Sequence, residues 1–232
     1  MDRRKFVGKS SILVTVPFLG IHTTRASAEI KEMKEASEEE QQGEIIYRTL
    51  GRTGIKVPIV SMGVMNATIP GLVARSYEKG VRLFDTAWYY QRGMNEKMLG
   101  ETIEKLGVRN DAIIVTKIYL RETTRDLTKP EVKDLFLQRF EESLSRLRTD
   151  YVDILMYHAA KTVEEQNNPH IIEAFNELKE AGKIKHTAVS LHGNDVLQLN
   201  DIVKKKFYDA ALVRINIAYE DNKRHIEAIE NP

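Results

Sequence analysis

From Tyr47 onward, two hydrophobic rhythms alternate along the chain. Short runs rich in Val, Ile and Leu fall at 59–65, 81–85, 112–117, 151–158, 184–190 and 211–216. Between them lie longer segments whose apolar residues recur every three or four positions. The short runs read as strands and the longer segments as helices, and their alternation predicts a parallel α/β sheet. Glycines at 80, 107 and 182 follow helical stretches, where a left-handed C-cap is wanted. Thr128-Lys129-Pro130-Glu131 reads as a capping box. The helix it opens carries Val132, Leu135, Phe136, Phe140, Leu144 and Leu147 on one face. Asn168-Pro169 starts another, with Ile172, Phe175 and Leu178 facing inward. Before the first of these strands, Tyr47–Leu50 and Ile55–Val57 flank Gly51-Arg52-Thr53-Gly54, the pattern of a β-hairpin.

Four polar residues punctuate this apolar text. Asp85, Lys117 and His158 each close a strand-like run, and Tyr90 follows Asp85 by five. In a parallel α/β barrel the C-terminal strand ends open onto one face, where active sites are built. Side chains alternate along a strand. His158 therefore shares a face with Met156, Ile154 and Val152, and Lys117 shares one with Val115 and Ile113. Both cap apolar columns suited to a barrel interior. Six such strands are counted against the eight of a closed barrel, so the chain is expected to be a (β/α)8 TIM-type barrel lacking its C-terminal part.

The beginning of the chain has a different character. Arg3-Arg4-Lys5-Phe6-Val7 precedes an apolar stretch from Ser11 to Ile21 and a small-residue site at Ala26-Ser27-Ala28. This resembles a bacterial twin-arginine signal peptide over residues 1–28. The apolar stretch is far shorter than the ~20 residues that span a bilayer, so no stable membrane anchor is expected. Residues 29–44 are rich in Glu, Lys and Gln and read as a solvated leader. The folded domain is then expected over 45–232, exported to the periplasm, with the twin-arginine machinery as a partner. A net charge of +1 recommends neither nucleic acid nor an anionic membrane. With no cysteine, thiolate metal sites, iron–sulfur clusters and cysteine nucleophiles are excluded. His186, His192 and His225 show no metal-ligand spacing, so no metal site is expected.

The motifs taken in order strongly resemble the aldo-keto reductase family. They are Tyr47-Arg-Thr-Leu-Gly-Arg-Thr-Gly, Phe84-Asp-Thr-Ala-Trp-Tyr-Tyr, Asn95-Glu-Lys-Met-Leu-Gly, Ile114-Val-Thr-Lys117, the Ser143–Asp153 segment, Tyr157-His158 and Ala181-Gly-Lys-Ile. The resemblance implies an oxidoreductase that transfers a hydride from NADP(H), with NAD(H) as the alternative, to an aldehyde or ketone. It assigns Asp85, Tyr90, Lys117 and His158 as the catalytic set. Tyr90, not Tyr89, falls at the acid's place. The resemblance further implies that Gly63, Val64, Met65, Asp85 and Ser190 contact the cofactor. Trp88 either lines the substrate pocket or packs against the next helix.

The chemistry wants these residue types. Hydride delivered to a carbonyl carbon leaves negative charge on oxygen, which needs a proton as it develops. A phenol's pKa of about 10 is high for that task, and a nearby ammonium is expected to lower it. Lys117 is the candidate ammonium, Asp85 its orienting partner, and His158 the group that directs the carbonyl. Several positions depart from the family's common pattern. Gln91 replaces a glycine, Leu191 an asparagine that holds the nicotinamide amide, and Leu212 and Ile215 a glutamine and a stacking aromatic; Ala159-Ala160 follows the histidine. These departures favour an alternative reading, a non-catalytic barrel of the same scaffold serving as a binding or regulatory subunit.

Overall fold

The computed structural model describes residues 45–120, 129–193, 195–214, 223, 226 and 227. The signal-like segment, the leader, the capping-box Thr128, Ile215 and His225 lie outside the described residues.

Strands β1 (Tyr47–Thr49) and β2 (Lys56–Pro58) pair antiparallel as the expected hairpin. Six further strands form one parallel sheet in strict chain order: β3 (Met62–Gly63), β4 (Leu83–Asp85), β5 (Ile113–Ile118), β6 (Val152–Ala160), β7 (Ile184–Leu191) and β8 (Ala210–Leu212). The helices between them are α1 (Pro70–Glu78), α2 (Met94–Leu106), α3 (Glu131–Leu147), the single turn α4 (Val163–Gln166), α5 (Pro169–Glu180) and α6 (Asp195–Lys205). Sequential order with a helical crossover at each step is the winding of a (β/α) barrel, of which these strands make the curled six-stranded part.

Strand parity sorts the core into two layers. Val115, Ile154, Met156 and Ala188 form an inner cluster, packed with Leu50 and Ile55 of the hairpin. The hairpin thus plugs the sheet's concave side beneath the strand ends. Arg52 ties it there, donating to the carbonyls of Lys206 (2.6 Å) and Tyr208 (2.9 Å). The alternate residues Phe84, Ile114, Leu155, Tyr157 and Val189 pack outward against Leu99, Phe136, Phe140, Leu147, Ile171 and Phe175 of the helices. Val152 shares the parity of Ile154 but sits at the strand's start, where it joins the outer layer.

The elements differ from the sequence expectation in several places; β4 begins only at Leu83, and β8 ends at Leu212 within the run expected over 211–216. The first barrel strand, expected over 59–65, is a two-residue ladder, because the Ile59 N–H pairs with the Ile46 carbonyl and extends the hairpin instead. On α5 the buried seam runs through Ile171, Ala174, Phe175 and Leu178, one position away from Ile172, and it follows 3.6-residue spacing more closely. Asn168 caps this helix as expected, its Oδ1 accepting from the N–H groups of His170 and Ile171.

Helices α2 and α3 approach so closely at Gly100 that an added Cβ would lie 2.5 Å from the Leu147 backbone. Gly100→Ala should therefore destabilise the protein by about 1–3 kcal/mol, although alanine is the better helix former. Urea unfolding of the variant checks this; an unchanged or raised stability would show that the two helices can move apart.

Candidate active site

The C-terminal end of β4 carries Asp85, level with Val115 of β5. Beyond it the chain keeps bonding to β5, with Thr86 N–H donating to the Val115 carbonyl and Trp88 N–H to that of Lys117. This hugging path leads Tyr90 into a 3-10 turn (Tyr90–Gly93) over the strand ends. Lys117 is fully buried at the end of β5. Its Nζ donates to Asp85 Oδ2 at 2.6 Å and to the Thr86 carbonyl at 2.8 Å. The same Nζ lies 5.0 Å from the Tyr90 ring centroid. His158, on β6, meets that ring edge-on, with centroids 5.7 Å apart. The fold thus brings Asp85, Tyr90, Lys117 and His158 together. The ammonium lies against the ring, and no hydrogen bond joins it to the phenol hydroxyl.

Burial decides the electrostatics. It raises the Asp85 carboxyl and lowers the Lys117 ammonium, while their mutual attraction opposes both shifts. Burial also pushes the Tyr90 phenol up to about 12, aided by the negative charge of Asp85. This corrects the expectation of a phenol lowered by Lys117: burial first, and then the neighbouring carboxylate, raise it instead. Burial, the Lys117 charge and then His192 lower His158 to about 3, so its imidazole is neutral.

A second layer of polar residues holds this set. Asn95 is fully buried; its Oδ1 accepts from the Thr86 hydroxyl (2.7 Å), and its Nδ2 donates to the carbonyls of Val64 (2.6 Å) and Ala67 (3.2 Å). Glu96, also buried, accepts from the Thr116 hydroxyl (2.6 Å) and from Arg146 (3.3 Å). Sequence reasoning uses this doublet only as a family motif. The available signal is two polar residues on the α2 face that continues through Leu99 and Ile103.

The other predicted residues divide. Gly63 is exposed at the end of β3, Val64 is buried, and Met65 is about half exposed. Ser190 is buried beside His158, its Oγ accepting from the Ala159 N–H at 2.8 Å. Trp88 packs against α3, donating from Nε1 to Glu142 (2.8 Å), with the Arg139 guanidinium stacked 4.0 Å over its ring. Two rings not singled out for the site also line the mouth: Tyr119 lies 5.7 Å from His158 and His192 lies 6.2 Å from it.

The model of the aldo/keto reductase family matches residues 66–228. The chain belongs to the aldo/keto reductase family. The uncharacterized oxidoreductase YqkF of Bacillus subtilis is 31% identical over 165 residues, covering 68% of this chain and 52% of that protein. L-galactose dehydrogenase of Arabidopsis thaliana is 32% identical over 158 residues, 63% of this chain and 48% of that enzyme. The chain therefore spans about half the length of these curated relatives. Among solved structures, the holo form of aldo-keto reductase AKR11C1 from Bacillus halodurans superposes with a TM-score of 0.67 at 25% identity, over 81% of this chain and 63% of that one. An aldo-keto reductase from Klebsiella pneumoniae in complex with NADPH shares the fold, with a TM-score of 0.53 at 22% identity over 69% of this chain and 54% of that one.

Family membership gives the departures physical content. Gln91, in place of a glycine, has φ 50°, a left-handed conformation that glycine adopts freely. Leu191 is fully buried in the outer layer of this aldo/keto reductase, so it offers the mouth nothing in place of an amide.

Two expected outcomes follow from the site's charges. Asp85→Asn leaves a buried ammonium without its counter-ion and should cost about 3–5 kcal/mol, whereas Asp85→Asn with Lys117→Met should recover most of that loss. A double-mutant cycle in urea measures it, and additive losses would show that the pair is not coupled. His158 concerns pH. The unfolded imidazole takes up a proton near 6.5, which the folded one refuses until about 3. The stability it contributes is whole above pH 6.5 and drains away as pH falls toward 3. Between about pH 7.5 and about pH 5 the wild type should lose on the order of 1 kcal/mol more than His158→Gln, a value discounted for the ring's partial exposure. Equal losses in both would place the proton uptake elsewhere.

Proposed function

We propose that this protein transfers a hydride from NADP(H) to an aldehyde or ketone, with Tyr90 as the general acid. The observation that carries the reading is the Lys117 ammonium, held by Asp85 and lying 5.0 Å from the centre of the Tyr90 ring. The residues present suit the nicotinamide end of such a cofactor. Asp85 Oδ1 is buried with no hydrogen-bond partner among the described residues. The Ser190 oxygen accepts from Ala159, which leaves its O–H free to donate. When bound, the reduced nicotinamide supplies the hydride.

The chain's own groups handle the proton. His158 Nδ1 is buried without a partner among the described residues, and an orphaned acceptor is better tolerated than an orphaned donor. The proton then sits on Nε2, from which the neutral imidazole donates to the substrate carbonyl and polarises it. As hydride reaches carbon, charge gathers on that oxygen, and the Tyr90 hydroxyl gives up its proton there. A phenol at about 12 holds its proton at neutral pH, yet its conjugate base is far weaker than the alkoxide it neutralises. The tyrosinate left behind faces Lys117, whose positive charge balances it. The carbonyl becomes an alcohol, and the phenol is restored from solvent.

The choice of NADP(H) leans on the Klebsiella relative solved with NADPH, and the choice of carbonyl substrate on family membership. A second reading, a non-catalytic member of the family, draws on the buried Leu191, which cannot hold a carboxamide.

The deciding experiment is oxidation of NADPH, with NADH alongside, against a panel of small aldehydes and ketones. An aldose belongs in the panel because one relative is named for L-galactose. Tyr90→Phe, folded as judged by its melting temperature, should lower kcat by about 10²–10⁴-fold. Equal turnover in wild type and variant would remove Tyr90 as the acid, and turnover in neither would favour the non-catalytic reading.

A further inference from the structure

The turn that carries Tyr90 is built against backbone preference. Gln91 (φ 50°) and Arg92 (φ 56°) are consecutive left-handed residues with side chains, a conformation seldom adopted away from glycine. Gly93 (φ 85°) follows, pressed so closely under Arg146 that an added Cβ would lie 2.5 Å from the guanidinium carbon. Strain of this kind persists only where surrounding contacts over-determine the chain. Arg146, packed on Gly93, supplies one such contact by donating to the Trp88 carbonyl, just before the turn, at 3.1 Å. Within the turn, the Gln91 side-chain amide donates to the Met65 carbonyl at 2.8 Å.

The second bond crosses the mouth. Met65 lies just past the end of β3, where Val64 N–H donates to the Asp85 carbonyl and the Val64 carbonyl accepts from Asn95. Gln91 is the immediate neighbour of Tyr90. One side chain therefore connects the segment bearing the phenol to the strand end that the family resemblance assigns to the cofactor. A glycine here would take up the same backbone conformation without effort, but it would remove the direct bond from the turn to Met65. The glutamine accepts unfavourable backbone geometry and supplies a bond in return.

We propose that Gln91 is a positioning residue: its amide strap onto the Met65 carbonyl fixes the distance between the Tyr90 acid and the cofactor floor. This rests on the reading of the site as a carbonyl reductase. The strap acts through two neighbours and touches no reacting atom. Its effect should appear in the chemical step, where misplacement by an ångström is felt strongly, and less in substrate affinity.

Gln91→Gly in the full chain separates positioning from stability, since it relieves the left-handed backbone and removes the strap. The expected result is an unchanged or raised melting temperature, with kcat reduced about tenfold and aldehyde KM nearly constant. Gln91→Glu, which keeps the length but has no N–H, should match that kinetic loss. Gln91→Lys, which restores a donor of similar reach, should recover most of kcat. A readout without cofactor or substrate runs in parallel. Backbone hydrogen exchange should quicken several-fold in Gln91→Gly, both in residues 88–93 and, across the strap, in residues 63–67. Exchange altered only in 88–93, or a kcat loss that merely tracks melting temperature across the variants, would overturn the proposal. If wild type turns over no carbonyl compound, the reductase reading falls; unaltered exchange in 63–67 would then remove the strap, and altered exchange would keep it as a link between these segments.

Discussion

A lysine and an aspartate held out of water at the mouth of a barrel set the terms for everything around them. Withdrawing two charges from solvent costs several kcal/mol per ion, and their attraction repays this only when the geometry is good and the remaining polar atoms are met. Lys117 meets the condition through the Asp85 carboxylate and the Thr86 carbonyl. Thr86 is fixed in turn by Asn95, which also grips the carbonyls of Val64 and Ala67. The ends of β3, β4 and β5 and the first turn of α2 are thereby joined by side-chain hydrogen bonds. Beneath them, Val115, Ile154, Met156 and Ala188 pack with the hairpin's Leu50 and Ile55 into an apolar layer. That layer keeps the local dielectric low, so each charge at the mouth acts strongly on its neighbours.

The opposite wall of the mouth is shaped by an irregularity in β6. Tyr157 is level with Val189 and Ala160 with Leu191, so β6 spends one residue more than β7 over this interval. His158 and Ala159 together oppose Ser190, as in a β-bulge. Ala159 takes φ 62° to achieve it, and Ser190 Oγ accepts the N–H that the ladder leaves unpaired. Without the extra residue, strict alternation would place Ala160 on the same side as His158. With it, His158 turns toward Tyr90 while Ala160 and Leu191 pack in the outer layer. The serine that the family resemblance assigns to the cofactor is thus also the residue that stabilises the turn of the histidine.

Features of local spacing are the ones legible in the sequence. The central strand runs, the helix face of α3, the glycine C-caps at 80, 107 and 182 and the polar residues at strand ends depend on neighbours a few positions away, and the folded chain displays each of them. What stays hidden depends on partners far along the chain. Ile59 leaves the barrel ladder because Ile46 offers it a carbonyl, and no run of apolar letters records that choice. The bulge is a mismatch between two strands, each regular when read alone. Asn95 and Glu96 are polar residues in a helical first turn, yet both are buried by contacts 9 to 50 residues distant. The direction of the phenol's shift escapes local reading for the same reason: it depends on the relative depth of three charges in space.

That direction bears on the chemistry the site favours. Lys117 and Asp85 form a pair with no net charge, so Tyr90 experiences burial more than it experiences an ammonium. A phenol that holds its proton firmly is prepared to donate to a strong base and poorly prepared to accept from a neutral alcohol near pH 7. On the proposed chemistry, the resting site is therefore set for reduction of a carbonyl. Operation in reverse would need the phenol to ionise first, which less burial or less carboxylate charge at Asp85 would make easier. Asp85 Oδ1, without a hydrogen-bond partner among the described residues, is an atom through which such a change could come. A donor hydrogen-bonded to it would draw carboxylate charge away from Tyr90 and let the ammonium's influence through. On the proposed chemistry, the pair thus does more than hold the phenol in place, for the Asp85 charge adds to burial in keeping the proton on Tyr90.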